Sequence, residues 1–417
     1  MLPNMYKVKR RFEARTIEHI EAAVAQELSK PAIRERIRPG NRIAITAGSR
    51  GIANIARIIA AVVANLKLAG AEPFIVPAMG SHGGATAEGQ VDVLESLGVT
   101  ESFCGAPIVS SMDTVVIGAT PGGVPVHMDR NAYEADGVVL VARIKLHTDF
   151  KSPVGIESGL MKMAAIGLGK HEQALLLHSY GVHGIRDIMP EVADVVLASG
   201  RIAFGLGIVE NAYEETAMLE AVVPERIRER ERALLIESAG MYPRLPVEEL
   251  DVLFVDWIGK NVSGTGMDTN VIGRMRIQGT PEPESPRIKY VIAGDLSEES
   301  HGNALGIGLA DLTTKRLVDK IDRRIMNENV ITSTFLSRAA VPIVLDNDRA
   351  AFEAALRANW GVAPERARIA RIRSTLHLEE LYVSEAVYED IRAMPDVALI
   401  EGPLPFRFDE AGNLPPF

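Results

Sequence analysis

Short apolar runs, glycine-rich turns and longer amphipathic runs follow one another along most of this 417-residue chain. A helix with one apolar face is predicted over 16–28, ending near Pro31. Arg42 to Thr46 (RIAIT) reads as a short buried strand, followed by the turn Ala47-Gly48-Ser49-Arg50-Gly51 and a strongly apolar helix over 52–68. The theme repeats with a strand over 73–78, the loop Gly80-Ser81-His82-Gly83-Gly84, and a helix over 86–97 with Thr86 as its cap. Residues 115–128 form a hairpin turning at Pro121-Gly122-Gly123, and 137–142 a buried strand. Two helical stretches, 159–166 and 170–178, are parted by Gly167-Leu168-Gly169. A helix over 182–197, a strand over 202–209 and a charged helix over 226–238 come next; that last helix reads as a solvated face or a connector. From Leu250 a second series begins: strand 251–257, a glycine-rich loop over 259–270, a turn-rich linker over 281–286 and strand 289–293. It continues with helix 312–326, strand 341–345, helix 348–359, strand 367–373 and helix 385–393. Such alternation predicts an α/β protein: two Rossmann-like domains, 1–245 and 246–417, with mainly parallel sheets and an interdomain cleft for a ligand.

Composition narrows the partners. The formal charge is -10, with acids and bases mixed along the chain, which argues against nucleic acid. A single cysteine, Cys104, excludes an internal disulfide and a cysteine-based zinc site, and fits a cytoplasmic home. No apolar run approaches the ~18 residues of a membrane span, and the first dozen residues lack a signal-peptide core. The expected partner is a small molecule, and a homo-oligomer is left open.

The chemistry gathers between Lys145 and Ser179, which hold His147, Lys162, Lys170, His171 and His178. His147 and Asp149 follow a buried strand, where α/β sheets meet their ligands. On one unbroken helix Lys162 and His178 would stand ~24 Å apart, so the glycine pair at 167 and 169 is what lets them share a site. His171 and His178 share a helix face at a separation of ~10 Å, too far for one ion, so at most one is a ligand. Arg50, in a strand–turn–helix entry, suits a carboxylate or phosphate. His82, ringed by glycine and serine, suits proton transfer.

These residues carry a resemblance. The chain is similar to the nickel-dependent lactate racemase family, on Arg50 after its strand, the Gly-Ser-His loop at His82, the post-strand His147, and a lysine and histidine sixteen apart at Lys162 and His178. The resemblance implies an isomerase, a 2-hydroxyacid racemase or epimerase working by hydride transfer through a 2-keto acid. It implies a nickel-pincer nucleotide tethered to Lys162, nickel bound by His178, and His82 and His147 as the catalytic pair. Arg50 and Ser49 would lie at the cofactor, and Arg50, with Arg274 and Arg276, at the substrate. Departures are visible: Ala47 stands where the family has an acid, and Gly159-Leu160-Met161-Lys162 replaces Gly-Gly-Arg-Lys, which points away from lactate itself. A cofactor-free carboxylate- or phosphate-binding protein, or a metal-assisted lyase or hydrolase using the same cleft, is the alternative.

Overall fold

The computed structural model describes residues 2–417, the side chain of Thr332 excepted. The chain divides into two compact units, one of residues 13–242, the other of residues 243–417 together with the first twelve.

The unit of residues 13–242 is built on a five-stranded sheet in the order Glu72–Pro77, Arg42–Ala47, Gly137–Arg143, Ile202–Glu210, Thr216–Val222. The first four strands are parallel and the last is antiparallel. The parallel strands are buried along nearly their whole length, which is why they read as continuous apolar runs. One face packs on helix Ile55–Leu68, whose Ile58, Ile59 and Leu66 are fully enclosed with Ile43, Ile45 and Phe204. Each such side chain contributes roughly 1.5–3 kcal/mol of burial. The other face packs Ala44, Val138 and Leu140 against Leu160, Met161 and Ala164, and so seats the segment that carries Lys162. The predicted hairpin is present as Thr114–Ala119 and Pro125–Asp129.

From Arg42–Ala47 the chain moves outward to Glu72–Pro77, then returns to the opposite side with Gly137–Arg143. The point of reversal lies between Ala47 and Arg143. In open parallel sheets the crevice beyond such carboxyl ends is where ligands bind.

The other unit holds an eight-stranded sheet: Ile343–Leu345, Leu312–Thr314, Arg287–Ala293, Glu249–Val255, Ile369–Ser374, His377–Ser384, Met5–Arg10, Val397–Leu404. The first five are parallel and the remainder antiparallel. The fold class is the expected one, α/β with mainly parallel sheets.

Three elements differ from expectation. The strand Met5–Arg10 pairs in this second sheet, whereas a division at 245/246 leaves it with the first unit. Residues 312–314 are a strand, not the start of a long helix; helices follow at Lys315–Asp319 and Arg323–Ser333. Thr313 and Thr314 are fully buried there, their hydroxyls donating to Ala293 O (2.8 Å) and Gly294 O (2.6 Å), a setting that favours β-branched residues in a strand. The first helix begins at Ile20 rather than near 16, because Ile17 N–H donates to Thr216 O (2.8 Å) and keeps the preceding chain along the sheet edge. No helix among the described residues is long and apolar enough to cross a membrane.

Candidate active site

Each polar group of the site comes from the carboxyl end of a parallel strand or from the helix packed beneath it. Arg42–Ala47 delivers Ser49 and Arg50; Glu72–Pro77 delivers His82; Gly137–Arg143 delivers Arg143, His147 and Asp149. Arg143 pairs with Glu210 at the end of the next strand, and the second oxygen of Glu210 accepts from Ala53 N–H (2.6 Å). That carboxylate therefore ties the Arg50 turn to two strand ends. Arg50 itself is exposed, with no ion-pair partner among the described residues. Surrounding protein and then the charge of Arg143 lower its pKa, while Asp149 acts the other way.

His82 Nδ1 lies 2.8 Å from Ser49 Oγ. Its loop is set by Gly83 (φ +65°), where a Cβ would come within 2.5 Å of the Gly89 backbone, so only glycine closes this turn. The expected cap is in place, with Thr86 Oγ1 accepting from Gly89 N–H (3.0 Å).

His147 is buried and stacks on Phe150, ring centroids 4.4 Å apart. Its Nε2 lies 2.8 Å from Lys162 Nζ, and its Nδ1 accepts from Asp149 N–H (3.1 Å). With the ring proton on Nε2, His147 would donate to the neutral amine form of Lys162. The lysine environment favours that form. Burial first, with Arg50 and Lys145 adding repulsion against the pull of Asp149, brings its pKa from 10.5 down to about 8.

Two buried carboxyl groups hold these residues by their backbones. Glu157 accepts from His147 N–H (2.6 Å) and Ser152 N–H (3.2 Å). Glu231 accepts from Met161 N–H (2.8 Å) and bonds the amide of Leu160, so it caps the helical turn Leu160–Lys162 from below. Burial raises both; the Glu231 carboxyl reaches about 7. Gly159 makes the arrangement possible, since a Cβ there would fall 2.6 Å from Glu231 Cδ. The helix Ile227–Gly240 thus carries a buried acid into the site on one face, while Glu229, Arg232 and Glu237 keep the other face exposed.

After Lys162 the helix widens into a π-helical turn, Met163–Gly167, a feature often found at functional sites. Gly167 presses on the strand end, where a Cβ would lie 2.8 Å from Ala78 O. Lys170 then takes φ +54°, and the helix Lys170–Ser179 sets off in a new direction. Across the glycine break, the charges of Lys162 and Asp149 both act on His178. His178 lies at the surface and bonds the backbone of Ala174; desolvation by neighbouring chain, then Lys162, lower its pKa.

Ser49, Arg50, His82, His147, Lys162 and His178 thus stand in one unit, linked in pairs or by their fields. Arg274 and Arg276 belong to the other unit, where both are engaged in contacts of their own. Both bind Asp311, Arg274 also Leu309 O, Ile288 O and Lys289 O, and Arg276 also Gly308 O and Ala310 O. These bonds hold a loop to a strand. Sequence reasoning missed Glu157, Glu231 and the Arg143–Glu210 pair. An arginine at the end of an apolar strand signals the last of these; nothing in the charged run RERERA marks Glu231 as buried.

Residues 4–183 match the family model described as lactate racemase N-terminal domain. No curated protein matches the chain. Among solved structures it is similar to the lactate racemase apoprotein from Thermoanaerobacterium thermosaccharolyticum, at 11% identity and a TM-score of 0.52, covering 89% of this chain and 94% of that one. At that identity the likeness is one of fold.

Proposed function

We propose that this chain is a divergent member of the lactate racemase family, a 2-hydroxyacid racemase or epimerase that works with a nickel-pincer nucleotide tethered to Lys162. The observation that carries the reading is the 2.8 Å contact of Lys162 Nζ with His147 Nε2, beside Arg50 at the carboxyl edge of a parallel sheet. Catalysis and cofactor binding are assigned to the unit of residues 13–242.

The residues present fit such a group. A neutral amine has the lone pair that covalent attachment needs. His178, with one ring nitrogen given to the Ala174 backbone, keeps the other for a metal, the usual arrangement of an oriented histidine ligand. Among the described residues no three His, Cys, Asp or Glu side chains gather as a cage, so a metal at His178 would take its remaining donors from the cofactor. When bound, the pincer nucleotide supplies a hydride acceptor for C2 of the substrate, which avoids a carbanion beside a carboxylate.

The rest falls to the chain. Arg50 binds the carboxylate through two parallel N–H bonds. His82, with Nδ1 at Ser49, can receive the hydroxyl proton at Nε2, while His147, in its protonated imidazolium form, can return one to the keto oxygen. One imidazole takes the hydroxyl proton of one enantiomer as hydride leaves C2; after the 2-keto acid rotates, hydride returns to the opposite face of C2 and the other imidazole protonates the keto oxygen. The roles exchange for the reverse reaction.

Protein co-produced with the enzymes that build the cofactor tests this by intact mass and metal analysis. The expected result is one nickel per chain and a mass adduct confined to the peptide of Lys162, absent in Lys162→Ala. An unmodified Lys162 peptide, with wild type and variant alike in metal content, overturns the reading.

A further inference from the structure

We propose that Lys170 is the positioning residue of His82: its buried ammonium fixes both ends of the loop 77–82 and thereby the place of the imidazole. The proposal rests on the reading of His82 as a proton-transfer group.

The lysine is wholly enclosed, as is its partner Asp129, 3.3 Å away. An ammonium has three N–H donors: two go to Pro77 O (2.5 Å) and Gln90 Oε1 (3.0 Å), and the charge faces Asp129 Oδ2. Gln90, also fully buried, turns its amide nitrogen to Gly80 O (2.9 Å) and His82 O (3.2 Å). One end of the loop is therefore held directly and the other through Gln90. Gly80, at positive φ, gives the loop little stiffness of its own, and these carbonyl contacts hold it together with Ala78 N–H at Ala47 O (2.8 Å) and His82 N–H at Met79 O (3.2 Å). Lys170 meets them from a left-handed conformation that non-glycine residues rarely adopt.

The same residue opens the helix that ends in Ser179 and carries His178, and Asp129 N–H donates to Leu168 O (2.6 Å) in the preceding turn. Lys170 thus joins the element bearing His178 to the loop bearing His82. Stability alone does not account for it, since a buried ion pair exchanged for neutral residues of like volume is often no less stable.

That exchange supplies the test. In Asp129→Asn/Lys170→Met both charges go together, and the side-chain carbonyl introduced at position 129 can still cap helix Arg130–Glu134, as the Asp129 carboxylate does. Gln90→Met is the second variant, which leaves the ion pair intact and removes the link to Gly80 and His82 together with the acceptor that Gln90 Oε1 offers Lys170. The readout is the side-chain ¹⁵N spectrum of His82, with kcat and KM in cofactor-loaded protein. Expected in both variants is loss of the single tautomer held at Ser49, with kcat about 100-fold lower and KM little changed, as for a small misplacement of a catalytic group. If the double variant does not fold, Gln90→Met decides. An unchanged His82 spectrum in a folded variant overturns the proposal. Failure of the racemase reading looks different: no turnover in wild type, with the His82 spectrum still altered in the variants.

Discussion

Glu231→Gln is the perturbation whose outcome the structure specifies most closely. The carboxyl is 1% exposed, bonds the amides of Met161 and Leu160, and leaves Oε1 without a partner. Its pKa rises from 4.5 in a solvated chain to about 7 in the fold. Between those values the folded state binds more protons than the unfolded one, so stability falls as pH rises through the window. From pH 5 to pH 8 this one group removes roughly 2–3 kcal/mol, at about 1.36 kcal/mol for each pH unit that separates the folded and unfolded pKa. Glutamine keeps an oxygen for the amides and does not titrate. Its unpaired N–H₂ costs about 1–3 kcal/mol at every pH, so absolute stability is a poor readout. The pH dependence is a good one, because Asp129, Glu157, Asp256 and Asp348, all raised by burial, are common to both proteins and cancel. Denaturant unfolding at pH 5 and pH 8 should give a wild type whose loss of stability over the interval exceeds that of the variant by the stated amount. Equal losses in the two proteins would falsify the claim that a buried, titrating acid lies under the Lys162 turn.

Three further outcomes are expected. Acylation of Lys162 by an activated ester, followed by peptide mass spectrometry across pH, should show a midpoint near 8; a midpoint near that of an ordinary lysine, 10.5, contradicts the lowered pKa. Arg274→Ala should destabilise the protein by about 2–5 kcal/mol, since it leaves Asp311 and several carbonyls short of donors, and should leave KM unchanged; a higher KM at unaltered stability restores its role at the substrate. His178→Ala should shift stability by no more than about 0.5 kcal/mol, as the ring is at the surface, while nickel retention on dialysis falls; retained nickel removes it as a ligand.

The parallel strands were legible because burial on both faces writes continuous apolar runs, as in Gly137–Arg143. The site edge was legible from residue types that a strand end rarely carries without use, His82 and His147 among them. The strand Leu312–Thr314 was not, because two threonines beside a leucine look polar until their hydroxyls are seen to bond Ala293 and Gly294. Met5–Arg10 was illegible as part of the second unit, since its partners lie more than three hundred and seventy residues away, at Glu380 to Ser384 and beyond. Buried charges were hidden most fully. Glu231 and Lys170 sit in helical runs where a charge ordinarily faces water, and only partners remote in sequence, Met161 and Pro77, enclose them. The contacts of Arg274 and Arg276 were hidden in the same way: Asp311, which binds both, follows them by more than thirty residues.

The claim that everything else serves is a hydride, not a proton, leaving C2 at this site. Nickel-loaded protein should be given a panel of single-enantiomer 2-hydroxyacids deuterated at C2, in ordinary water, and the product enantiomers examined by chiral separation with mass detection. Inversion with deuterium kept at C2 is the predicted result; inversion with deuterium exchanged for solvent hydrogen, or no inversion of any acid tried, contradicts it.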